Sequence, residues 1–176
     1  MKSLIEKIRT VPNFPQNGIM FRDITTLLID PDGFKTAIDM TVKKWRGLGV
    51  TKIVGIDARG FILGGAIAYN LGVGFLPVRK KGKLPPETIS EEYQLEYGVD
   101  TLEVLQESLD SSDKVVVVDD LIATGGTAEA TVKLIRRLRA EVLGCSFIIN
   151  LPDLGGVSKL KELGIESFSL CEFKGH

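Results

Sequence analysis

Apolar residues fall into two rhythms along this chain of 176 residues. The runs TKIVGID (51–57), VVVV (115–118) and VLGCSFIIN (142–150) are β-branched or apolar almost throughout and are bounded by turn residues, which is the pattern of strands buried on both faces. Between and around them, apolar positions recur at helical spacing from Pro31 to about Arg46, near 60–71, from about Gly125 to Arg139 and near 154–163. VGFLPVR (73–79) and IESFSL (165–170) add two more strands. A short amphipathic helix is expected near 3–9, then a Pro- and Gly-rich loop, VPNFPQNGIMFRDIT (11–25), and a polar segment spans 80–92. Strands alternating with helices predict an α/β fold, a single domain with a mostly parallel central sheet covered by helices on both faces. In such folds ligands sit beyond the carboxyl ends of the strands.

One apolar run approaches the length of a membrane span. Residues 60–78 carry no charge, but they include five glycines, Asn70 and Pro77, and Leu71-Gly72 punctuates them where a helix would stop before a strand. A buried helix followed by a buried strand is expected, not a membrane span. Composition narrows the field further. Twenty-two Lys and Arg against twenty-three Asp and Glu give a net charge of −1, too little positive field for a dedicated nucleic-acid binder. The single histidine is His176, which removes Ser-His-Asp triads, Cys-His pairs and His-ligated metal sites. Cys145 and Cys171 form no CxxC pair, and the opening MKSLIEKIRT has no apolar signal core. Reduced thiols and a cytoplasmic location are expected.

Chemistry concentrates in VVVVDDLIATGGT (115–127): a buried strand, two acids at its carboxyl end, a loop of small residues, then a helix. Backbone N–H groups of ATGGT can wrap an anion, and the helix N-terminus adds unsatisfied donors and partial positive charge. Thr124 and Thr127 can donate hydroxyls. No GK[ST] follows and the GxGxxG spacing is absent, so neither a Walker loop nor a dinucleotide fingerprint is present. Asp119 and Asp120 beside a phosphate cradle repel its occupant unless something lies between, and vicinal ribose hydroxyls, with or without magnesium, fit that place. A bare acidic pair capping a turn is the simpler alternative.

VVVVDDLIATGGT resembles the phosphoribosyl pyrophosphate signature of the type I phosphoribosyltransferases, in the form carried by their adenine-specific members. NFPQNGIMFRDIT (13–25), GIDARGF (55–61), RKKGKLP (79–85) and EEYQLEYG (91–98) resemble other segments of that family in order and spacing, so the match covers most of the chain. The resemblance implies one phosphoribosyltransferase domain over 1–176, with a small hood over 1–30 and a mobile flap over 80–98. It implies that Asp119 and Asp120 hold the ribose hydroxyls, that Ala123, Thr124, Gly125, Gly126 and Thr127 cradle the 5′-phosphate, and that Arg59 and Lys83 meet phosphate groups. The peptide between Asp57 and Ala58 is implied to be cis. Phe21 and Leu121 would sandwich the purine, while the backbone of Met20 and Arg22 reads its edge; an aromatic in such a loop is otherwise more often core.

The implied reaction joins adenine to the phosphoribosyl group, giving AMP and pyrophosphate with inversion at the anomeric carbon. Magnesium is the implied cofactor, held mainly by substrate and water, and a homodimer is the implied assembly. In the related 6-oxopurine enzymes an Asp stands at the position of Ala123, so another group must handle the purine proton. The resemblance assigns that task to Glu96. A phosphoribosyltransferase for another base, or a regulator that binds the same ligand without catalysis, is the alternative. Only some twenty residues precede the Phe21 segment, which leaves little room for the added DNA-binding segment such regulators carry.

Overall fold

The computed structural model describes residues 3–94 and 98–175. The N-terminal part holds a two-stranded antiparallel ribbon, β1 (Arg9–Pro12) and β2 (Met20–Asp23), followed by α1 (Thr25–Leu28) and α2 (Pro31–Trp45). The expected helix near 3–9 is only a 3-10 turn, Ile5–Lys7, because the chain straightens at Arg9 to pair with β2. Asp30 caps α2 by accepting the Asp32 N–H at 3.2 Å, and Pro31, which has no N–H to orphan, takes the first helical position.

Next come β3 (Lys52–Ile56), α3 (Arg59–Leu71) and β4 (Gly74–Lys80), then β5 (Thr88–Gln94) and β6 (Val99–Leu105), β7 (Lys114–Ile122), α4 (Gly126–Arg137), β8 (Glu141–Asn150), α5 (Gly156–Glu162) and β9 (Ser167–Glu172). The uncharged run 60–78 is thus a helix and a strand, as its punctuation predicts, but neither is buried throughout, since Ile62, Tyr69 and Phe75 are exposed, and no described helix is long and apolar enough to cross a membrane. Strands pair in the order β5-β6-β4-β3-β7-β8-β9 among the described residues. β4, β3, β7, β8 and β9 are mutually parallel, and β5–β6 is antiparallel at the β4 edge.

Period-two alternation on β7 shows why its valines stay apolar on both sides. Val115 and Val117 join the core under α4, with Val132, Leu134 and Ile135, while Val116 and Val118 join the core under α2 and α3, with Ile38, Trp45 and Leu63. Chain direction then locates the ligand. From β3 the chain crosses through α3 to β4 on one side, and from β7 it crosses through α4 to β8 on the other. The switch point lies between β3 and β7, where α/β sheets leave a crevice at the strand ends.

Candidate active site

Two loops open into that crevice. After β3 the chain runs through Asp57, whose peptide bond to Ala58 is cis, into Arg59 at the start of α3. After β7 it runs through Ala123–Gly125 into α4. Gly60 lets the two approach: a Cβ there would lie 2.6 Å from the Val118 carbonyl oxygen and 3.3 Å from Asp119 Oδ1. Arg59, Asp119, Asp120 and the loop from Ala123 to Thr127 line one cavity of about 410 Å³. With Leu121, which lines it too, nine positions named from the sequence are brought together. The Gly125 N-cap of α4 carries no side chain to cap the helix, so the first turn, whose residues line the cavity, keeps N–H donors free for an anion.

The acids differ in surroundings. Asp120 is buried and accepts a hydrogen bond and ion pair from Arg59 Nε. Asp119 Oδ1 accepts the Asp120 N–H at 2.8 Å. Burial, and then the charge of Asp120, push the Asp119 carboxyl well above its usual range. Burial opposes the charge of Arg59, but the pull of Asp120 and Asp119 outweighs it and raises the guanidinium further. The site thus holds a cation against one acid and leaves the other short of partners. Polar hydroxyls and a diphosphate can relieve both.

A second cavity, about 640 Å³, adjoins the loop on the hood side. Met20, Phe21, Arg22 and Leu121 line it, with Leu121 and Ala123 shared between the two cavities. Phe21 is propped edge-on by Phe14, with ring centroids 5.2 Å apart at 76°. Arg22 spans hood and C-terminus, donating to Thr10 Oγ1 at 2.6 Å and lying 4.7 Å from the Phe173 ring centre. Leu151 and Leu154 also line this cavity and were not named from sequence. Two leucines after a strand carry no signal of their own; only the fold turns them toward the hood.

Lys83 lies in the turn after β4, off the lining of the phosphate cavity. Its carbonyl accepts from Arg79 Nη1 at 3.2 Å, while Arg79 Nε donates to Asp57 Oδ2 at 3.2 Å, so Arg79 ties this basic turn to the Arg59 loop. Lys80 pairs with Asp100 at 3.1 Å, and Tyr93 donates to the same carboxylate at 3.3 Å. Hydrogen bonding to Asp100, and its charge, raise the Lys80 ammonium. Glu96, the expected acid–base group, lies outside the described residues.

The arrangement joins a small-residue loop that opens α4, two adjacent acids and an apolar cavity, with Leu121 and Ala123 lining both cavities. Residues 25–161 match the model of the phosphoribosyl transferase domain. The adenine phosphoribosyltransferase of Leptospira biflexa is 56% identical, each chain being covered to 100%. Among solved structures, that of the adenine phosphoribosyltransferase from Rhodothermus marinus superposes with a TM-score of 0.90 at 47% identity, covering 97% of this chain and 96% of that one. The enzyme of Saccharomyces cerevisiae, solved with an imino-altritol bisphosphate and adenine, superposes at 0.90 with 38% identity over 96% of both chains.

Proposed function

This chain belongs to the phosphoribosyltransferase family, in its adenine phosphoribosyltransferase branch, and from that premise we propose that it transfers the 5-phosphoribosyl group of phosphoribosyl pyrophosphate to adenine, forming AMP and pyrophosphate in purine salvage. One observation carries the reading from geometry: the phosphate loop and its two acids share Ala123 with an apolar slot walled by Phe21 and Leu121. A purine in that slot sits beside a ribose on Asp119 and Asp120, with its 5′-phosphate on the loop N–H groups.

As the ribose hydroxyls take the Asp120 carboxylate, Arg59 is released to the diphosphate, whose negative charge it matches. The bond from the anomeric carbon to the pyrophosphate oxygen breaks while that from the same carbon to adenine N9 forms on the opposite face, through an oxocarbenium-like state. The electron pair leaves with pyrophosphate. The purine proton passes to Glu96, since Ala123 offers only a methyl group at the loop. Lys83 adds a phosphate contact when the turn after β4 that carries it closes over the site and excludes water.

Magnesium is the implied cofactor. Asp119 and Asp120 are hard oxygen donors of the kind it takes, and substrate oxygens and water would fill its remaining positions. When bound, magnesium neutralises charge on the departing diphosphate. Cys145 and Cys171 are buried and unpaired, which supports a reducing, cytoplasmic setting. A homodimer is the proposed assembly.

The test is incubation with adenine, phosphoribosyl pyrophosphate and magnesium, quantifying AMP and pyrophosphate. Equal amounts of both products are expected, with adenine strongly preferred over hypoxanthine and guanine. Efficient use of hypoxanthine would overturn the adenine assignment.

A further inference from the structure

The phosphate loop is held from outside its own motif. The turn that follows β8 lies directly against it: Leu151 N–H donates to the Ile122 carbonyl at 3.0 Å, and Gly156 N–H donates to the Ala123 carbonyl at 3.0 Å. Between these bonds the two backbones touch glycine to glycine. A Cβ on Gly125, which has a left-handed φ of 79°, would lie 2.9 Å from Gly156 Cα and 3.0 Å from the Gly156 carbonyl oxygen. A Cβ on Gly156 would drive into the Ala123 carbonyl oxygen and lie 2.7 Å from Ile122 Cγ1 and 2.9 Å from the Gly125 nitrogen. Contacts this close leave no side chain room on either strand of the contact, and none of the atoms met on the Ala123 and Gly125 side can swing away, because they are backbone.

The same turn has a second face. Leu151 and Leu154 line the cavity that holds Phe21 and Leu121. One short segment therefore touches the phosphate loop through Gly156 and the purine slot through its leucines. The geometry points to Gly156 as a positioning residue for the 5′-phosphate: it fixes the height of the Ala123–Gly125 backbone, and so the aim of the loop N–H groups, relative to the base slot. This rests on the adenine phosphoribosyltransferase reading and deepens it. Donor groups that must converge on a phosphate tolerate little error, a misplacement of about 1 Å being able to cost about 10²-fold. The effect of a change at 156 should then fall on ligands that carry the 5′-phosphate and spare those that lack it.

Gly156→Ala separates the possibilities, read by inhibition constants for AMP and adenosine and by the steady-state constants for phosphoribosyl pyrophosphate. AMP should weaken at least about tenfold and adenosine by less than about twofold, with KM for phosphoribosyl pyrophosphate rising more than kcat falls at saturation. Gly144→Ala is the matched structural control, because its Cβ would press on the Trp45 ring and the Glu166 carbonyl, far from the crevice. It should lower Tm and leave the ratio of AMP to adenosine affinity unchanged. If Gly156→Ala fails to fold, Gly155→Val strains the same turn through a left-handed φ of 77° with open space around its Cβ, and carries the same expectation. Equal weakening of AMP and adenosine, or unchanged AMP affinity in a folded variant, overturns the positioning role. A wild-type enzyme that makes no AMP overturns the underlying function instead.

Discussion

At the scale of single residues, Asp119 carries a conflict between folding and function. Its carboxyl is raised by burial and by the charge of Asp120, so ionisation is less favourable in the folded chain than in the unfolded one. Stability from this group is therefore greatest at low pH and falls as pH climbs from the unfolded value, near 3.8, through the raised folded value. Asp119→Asn removes the penalty. Its Tm at pH 7 should equal or exceed that of wild type, with the gap closing toward pH 4, while AMP formation falls. A lower Tm at neutral pH with the gap unchanged by acid would contradict this. Asp120→Asn differs because it strips Arg59 of its partner. KM for phosphoribosyl pyrophosphate should rise about tenfold to 100-fold, the scale of a lost charge-assisted hydrogen bond of about 1.5–3 kcal/mol. For Glu96→Gln, AMP formation should slow about 10²- to 10⁴-fold with little change in phosphoribosyl pyrophosphate binding, the range of a positioned general acid–base; near-normal turnover would remove Glu96 from the chemistry. The acids and the loop were legible in the sequence because a buried strand, an acidic pair, a loop of small residues and a helix follow one another over thirteen consecutive positions. Leu151, Leu154 and Gly156 were not, since their roles come from contacts with segments far away along the chain.

Among the elements, the N-terminal ribbon shows how local chemistry ends a strand and opens a helix. Asp23 closes β2 and turns back to accept the Thr25 N–H at 2.9 Å, just where α1 leaves its first amides unpaired. Bonding to Thr25, with Arg9 alongside, lowers the Asp23 carboxyl to about 2. A lowered acid contributes stability above its unfolded pKa, near 3.8, and loses it as pH falls toward about 2. Asp23→Asn should therefore lower Tm at neutral pH and match wild type by about pH 2, as followed by circular dichroism. A Tm difference that persists to pH 2 would assign the loss to packing. The hood strands themselves escaped the periodicity because four residues each, half exposed, make too short an alternation to stand out from a Pro-rich loop. The same holds for β5 and β6, whose charged residues interrupt the apolar pattern. Their pairing is settled by register, Thr88 opposite Leu105 and Gln94 opposite Val99, and by the edge of β4 against which β6 lies. By contrast, β3, β7 and β8 were plain, since a strand covered on both faces must be apolar almost continuously.

For the whole molecule, the alternation of strands and helices already implied a parallel sheet, and with it a ligand site at strand ends; the order of the strands, and hence the switch point between β3 and β7, had to come from the fold. That order also leaves one face of α3 uncovered. Ile62, Ala66 and Tyr69 follow at spacings of four and three, a single stripe on a helix, and Ile62 is 50% and Tyr69 87% exposed. Phe75, at the start of β4, is 37% exposed, with its ring edge-on to Phe61 at 6.0 Å. An apolar stripe of this kind is a place where a partner can seat. For a proposed homodimer, this stripe is where a second copy would seat, and its N-terminal end lies one turn from Arg59, so pairing would brace the loop that meets the diphosphate. Wild type should sediment as a dimer at micromolar concentration. Ile62→Glu, which puts an unpaired charge into the contact, should shift it to monomer and reduce AMP formation, while Lys161→Glu, at an exposed position of α5 in the opposite helix layer, should leave the dimer intact. A wild-type monomer at that concentration, or an Ile62→Glu variant that stays dimeric, would place the interface elsewhere.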